Sequence, residues 1–130
     1  MRGFSGKVRQ LAWSETQPLL LACSSAESIV VWEKHSDVAV GWEGRVLEGH
    51  LESIQSIQFL PNSLSLASAA ADGQICFWQK SKLAQILEGA SQGFSCLAWH
   101  PQGNLLAAGG QNGELLVWTN AARGEGFRKR

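Results

Sequence analysis

His50, Ser68 and Asp72 are the residue types from which a hydrolase assembles its nucleophile, general base and orienting carboxylate. That chemistry needs a serine exposed on a strained turn with oxyanion donors beside it. No G-x-S-x-G surrounds Ser68, and residues 64–69 read as a strand in which its hydroxyl is expected to be buried. A buried hydrogen-bonded group is therefore the preferred reading, and hydrolysis the alternative. The run Gly109-Gly110-Gln111-Asn112-Gly113 lacks the Lys-Ser/Thr of a phosphate loop and leads into a strand instead of a helix. It reads as a tight turn. Cys23, Cys76 and Cys96 form no CxxC pair and lie near no histidine cluster, so no metal, redox dithiol or cofactor is expected. Each sits in an apolar stretch, which implies buried free thiols acting as small hydrophobes and suits a reducing cytoplasm. The tail carries Arg123, Arg128, Lys129 and Arg130, four positive charges that could touch nucleic acid or acidic lipid. A solvated terminus is preferred, with a nucleic-acid adaptor as the alternative.

The elements that must position these residues repeat. An aromatic is followed by a second one 19 positions later three times: Trp13 and Trp32, Phe59 and Trp78, Trp99 and Trp118. VRQLAW, SIQSIQF and FSCLAW lead into the first aromatics, and SIVVW, QICFW and ELLVW end at the second. Short strands are expected at 8–13, 19–23 and 29–32, at 54–59, 64–69 and 75–78, and at 94–99, 105–108 and 115–118. Pro61-Asn62-Ser63, Asp72-Gly73, Pro101-Gln102-Gly103 and Asn112-Gly113 supply the reversals. Fourth strands are marked by matching text at 45–49 and 85–89, but the sequence marks none clearly after Trp118. Residues 33–44 are an insertion that the later repeat does without.

Gly49-His50, Leu66-Ala67-Ser68, Asp72-Gly73 and Trp78 closely resemble the WD-repeat family of β-propellers. Gly89-Ala90, Leu106-Ala107-Ala108, Asn112-Gly113 and Trp118 repeat that frame. Gly6-Lys7, Leu21-Ala22-Cys23, a shorter turn with Glu27, and Trp32 precede it. The resemblance covers residues 6–118, with repeats at about 6–33, 47–79 and 87–119. In style it is similar to bacterial, notably cyanobacterial, members. It implies an all-β fold of three four-stranded antiparallel blades, an open arc or partial propeller. It also implies a structural tetrad of His50, Ser68, Asp72 and Trp78, in which a histidine bridges buried donors and acceptors. Trp13, Trp32, Phe59, Trp99 and Trp118 become repeat-core aromatics. Cys23, Ala90, Ala108 and Asn112 replace tetrad members elsewhere. The family's Trp-Asp dipeptide is absent, since Glu33, Gln79 and Thr119 follow the tryptophans.

Propellers close with four to eight blades, so three leave apolar flanks for a partner. A piece or truncated form of a longer propeller is the preferred explanation, then ring completion by copies of the chain, then a lone arc. Residues 119–130 would be a poorly ordered tail or the start of a next connection. The formal net charge is zero, no apolar run approaches a membrane span, and residues 1–9 carry no apolar signal core. The expectation is one cytoplasmic, non-catalytic scaffold region over 1–130 that binds protein and takes no cofactor. Val38, Val40 and Trp42 of the insertion, with Leu51, Glu52, Gln92 and Gln111 of the loops, are the candidate partner contacts. For the insertion the preferred reading is the plainer one, that Trp42 folds back onto its own blade or that residues 38–42 lengthen the outer strand.

Overall fold

In the computed structural model, strands form where β-branched and aromatic residues alternate between turn signals. The structure describes residues 7–15, 19–25, 28–34, 41–48, 50, 52–61, 63–79, 82–90, 92–120 and 127–129. The first sheet holds β1 (Gln10–Trp13), β2 (Leu20–Ser24), β3 (Ile29–Lys34) and β4 (Trp42–Leu47). The second holds β5 (Ile54–Phe59), β6 (Leu66–Ala70), β7 (Gln74–Gln79) and β8 (Lys82–Glu88). The third holds β9 (Phe94–Trp99), β10 (Leu105–Gly110), β11 (Leu115–Asn120) and β12 (Phe127–Lys129). Each is a four-stranded antiparallel meander in chain order.

Three differences from the sequence expectation have physical causes. The outer strands β4 and β8 each begin three residues before the apolar text, because ladder pairing with β3 and β7 carries on through solvent-facing Glu43 and Lys82. Glu33 and Lys34, assigned to the insertion, are the end of β3, and Trp42 opens β4. Finally, β12 pairs Trp118, Thr119 and Asn120 with Lys129, Arg128 and Phe127, a strand that its polar sequence does not mark. Arg123 and Arg130 lie outside the described residues.

The core is two layers between successive sheets. Ala22, Ile29, Val31 and Leu47 of the first sheet meet Ile54, Ile57, Phe59, Leu66, Cys76 and Trp78 of the second. Ala67, Ala69, Ile75, Phe77 and Leu87 of the second then meet Phe94, Leu97, Leu106, Ala108 and Trp118 of the third. A bulge in β5 brings Ile54 and Ile57 to one face, and one in β9 does the same for Phe94 and Leu97. In both layers the forward-facing side is built on small residues, Ala22 in the first sheet and Ala67 and Ala69 in the second, to which the second sheet alone adds a ring, Phe77. The second layer is also tied by Trp99, which packs on Phe77 at 5.7 Å between ring centroids and donates from Nε1 to the Gln58 carbonyl at 3.4 Å.

The connections interlock at one end of the sheets. Gly93 has φ +89, and a Cβ there would overlap the Ala71 carbonyl. Gly113 has the same φ +89 with open space around it. Gly113→Ala is therefore expected to cost only the left-handed backbone term, about 1 kcal/mol. Gly93→Ala adds the clash between sheets and should cost about 2–4 kcal/mol. Urea denaturation of both variants checks the order, and equal midpoints would contradict it.

Candidate functional site

Ser68 lies in the middle of β6, paired with Ile57 on one side and Cys76 on the other, and it is fully buried. The Trp78 indole Nε1–H donates to Ser68 Oγ at 2.9 Å. Ser68 Oγ lies 2.7 Å from His50 Nε2, and His50 Nδ1 lies 3.3 Å from Asp72 Oδ2. Since Oγ already accepts from the indole, its own proton is free to go to Nε2, which leaves Nδ1–H to face the carboxylate. The Asp72 carboxylate is aimed by its own turn: Oδ1 accepts from the Gln74 backbone N–H at 3.0 Å, and Gly73 takes φ +82 to close the reversal. The distances are those of a hydrolytic triad, but Ser68 has no exposed surface for a substrate carbonyl to reach. Its surroundings are strands instead of an oxyanion-binding turn. What the geometry performs is satisfaction of four buried polar groups in one chain of bonds.

The same register positions are solved differently in the other sheets. In the third, Ala90 and Ala108 are buried where the second sheet has His50 and Ser68, and Trp118 packs edge-on against Phe94 at 6.0 Å. In the first, Cys23 replaces the serine and donates to the Val30 carbonyl at 3.6 Å. Burial pushes the Cys23 thiol up, partly offset by a hydrogen bond with Trp32. Burial also pushes Cys76 up to about 12, with the Asp72 charge adding to it. Cys96 departs from the expectation of three buried thiols: it is exposed, because its face of β9 has no sheet against it among the described residues. No group of three metal-ligating side chains comes together among the described residues, and no helix there is long and apolar enough to cross a membrane.

Of the repeat aromatics, Phe59 and Trp118 are buried and Trp99 packs against the second layer, whereas half-buried Trp32 and exposed Trp13 lie in neither layer. Trp13 is 55% exposed, whereas Phe59 at the equivalent position is 9% exposed against the first sheet. Its ring tilts against half-buried Trp42 at 6.4 Å, so Trp42 folds onto its own sheet as the opening residue of the outer strand. Glu52, Gln92 and Gln111 are exposed at the end of the sheets where His50 and Asp72 sit, and Gln111 Nε2 donates to the Phe94 carbonyl at 3.0 Å. Val38, Val40 and Leu51 lie outside the described residues. Sequence reasoning overlooked Leu11 and Leu115. Register equates Leu11 with Ile57 and Leu97, and Leu115 with Ile29 and Ile75, all four of these partners being buried. Leu11 and Leu115 themselves are 64% and 73% exposed, and lining up the three repeats would have found them.

The profile of the WD domain, G-beta repeat, matches residues 1–33, 41–79 and 81–119. The chain belongs to the WD-repeat family. Among its relatives, it is 34% identical over 80 residues to WD repeat and FYVE domain-containing protein 1 of Mus musculus, covering 60% of this chain and 18% of that one. It is 26% identical over 104 residues to protein transport protein sec13 of Aspergillus oryzae, covering 73% and 35%. It is 30% identical over 83 residues to small ribosomal subunit protein RACK1y of Oryza sativa subsp. japonica, covering 61% and 25%. The matched region spans about a fifth to a third of these relatives' lengths.

Ser68→Ala leaves the Trp78 indole and His50 Nε2 without their partner, and should cost about 1–3 kcal/mol. Adding His50→Ala reproduces the apolar solution of the third sheet, so the pair should cost less than the sum of the single changes. A double-mutant cycle by denaturant unfolding measures this, and strict additivity would contradict the shared network. For the thiols, iodoacetamide at pH 8 should modify Cys96 in the folded chain and reach Cys76 only on unfolding, as read by peptide mass mapping. The neutral Cys76 thiol contributes stability that is complete below its ordinary value of 9.0 and is lost as pH rises towards about 12. Cys76→Ala should flatten that alkaline decline in melting temperature.

Proposed function

We propose that this WD-repeat chain is a non-catalytic platform for protein–protein interaction, acting in the cytoplasm as part of a larger propeller. The observation that carries this reading is the pair of unlike faces at the ends of the arc. Leu11 and Trp13 stand open on the bulky face of the first sheet, and Leu115 on the aliphatic face of the third. Each is the register counterpart of a residue that is buried within the arc, so each end presents half of an inter-sheet layer. The other halves come from further repeats of a longer chain or from a second copy. Two copies give six sheets, within the four to eight with which propellers close, whereas one or three copies fall outside it. Relatives named as a transport protein and as a small-ribosomal-subunit protein fit a component of assemblies. Glu52, Gln92 and Gln111, held at fixed spacing by the interlocked turns, are the residues of one rim offered to a partner. Ser68 acts here as a structural hydroxyl.

Light scattering of the purified chain tests the reading of the ends. An assembly of discrete mass above 14.1 kDa is expected. Leu115→Arg should lower that mass while leaving the strand signal in circular dichroism unchanged, because residue 115 is exposed within the arc. A monodisperse wild-type species of 14.1 kDa would overturn it. Turnover of an ester abolished by Ser68→Ala without loss of stability would favour the hydrolytic alternative instead.

A further inference from the structure

The two inter-sheet layers follow one plan but are filled unequally. In the second layer the Phe77 ring meets Trp99. At the equivalent positions the first layer has Val31 and Phe59, smaller on both sides. A cavity of about 310 Å³ results, lined by Val31, Leu47, Phe59, Leu64, Leu66 and Trp78. It sits at the end of the sheets where residues 60–65 join β5 to β6, away from the Asp72-Gly73 turn. Its mouth carries Arg45 and Glu33, 4.0 Å apart, with side chains 49% and 28% exposed. Register places Gln85 and Gln79 at the same points of the second layer, so the charges belong to this layer alone.

We propose that this cavity receives the aromatic side chain of an extended partner segment, with a neighbouring acidic residue held by Arg45. The proposal rests on the platform reading in one respect, that the occupant is a polypeptide. Its chemistry is given by the repeat itself: what is missing here is the ring that Phe77 supplies one layer further on. The walls are aromatic and aliphatic, and an apolar cavity of about 150 Å³ already accommodates benzene. A space of 310 Å³ therefore suits an indole or a phenyl ring with its stem. Aromatic anchors seated in apolar pockets and rimmed by charge are the usual energetic centre of protein contacts. Glu33 positions the Arg45 guanidinium at 4.0 Å, a long contact that a partner carboxylate can compete with.

The test is an NMR titration of the full chain with N-acetyl-tryptophan, N-acetyl-tryptophanamide and a blocked octapeptide containing Trp-Asp. Saturable shifts are expected at the Val31 and Leu66 methyls and the Trp78 indole N–H, with the peptide binding tightest. Val31→Phe restores the filled layer and should weaken all three probes at least tenfold. Leu64→Phe closes the same space from the connection and should do likewise, which keeps the test sound if the first variant fails to fold. Arg45→Gln should weaken the two carboxylate-bearing probes about threefold and leave the amide unchanged. Absence of saturable shifts, or binding indifferent to both filling variants, would overturn the proposal. Binding of the free aromatic acid without the peptide would overturn the polypeptide occupant in favour of a small aromatic acid. The solution mass reports on the ring-completion reading and the titration on the cavity, so failure of one is distinguishable from failure of the other.

Discussion

A four-stranded sheet with apolar side chains on both faces has no stable state by itself, and everything in this chain follows from that constraint. Strand pairing satisfies the backbone, but it leaves Ile57, Phe59 and Leu66 on one side of the second sheet and Ile75 and Phe77 on the other. Only a neighbouring sheet removes both sets from water. The middle sheet has a neighbour on each side and is buried best: Leu66, Ala67, Ser68, Ala69 and Ala70 are all at or below 2% exposure. The connections serve the same end, since the Gly73 and Gly93 turns lock successive sheets by close backbone approach.

The polar network belongs where burial is deepest. An indole N–H and a hydroxyl that have lost water need each other, and the imidazole and carboxylate complete the sequence of bonds. Where the third sheet abandons the network it abandons the histidine and serine together, with Ala90 and Ala108 in their places, and so leaves neither of those groups stranded. The first sheet is less tidy. Its Ser24 hydroxyl is the buried side-chain oxygen without a partner among the described residues.

Much of this was legible because two signals coincide in the text. The aromatic frame and the Pro, Gly, Asn and Asp reversals mark the inner three strands of each sheet, which are apolar on at least one face. The outer strands were blurred, since Glu43 and Lys82 face solvent and Gly44 lies against the Trp32 ring, so none of the three carries a hydrophobic signature. The exposure of Trp13 and Cys96 depends on what stands beside a sheet, which no local pattern encodes. The cavity was equally hidden: Val31 and Phe59 are ordinary strand residues until register shows that Phe and Trp fill the same space one layer on.

The two faces of each sheet differ, and in both layers the side holding Ala22 or Ala67 meets the side holding Phe59 or Trp99, in the same order along the chain. An arc with unlike ends has a direction, and contact between such ends is head-to-tail instead of self-complementary. Association of this kind consumes one end and creates another, so it has no natural stopping point except geometry. If the rotation from sheet to sheet divides a full turn, growth terminates in a ring with no edge left over. If it does not, the same contact propagates as a helical fibre. For any head-to-tail contact of such faces, the angle between neighbouring sheets would decide between a closed particle and a polymer.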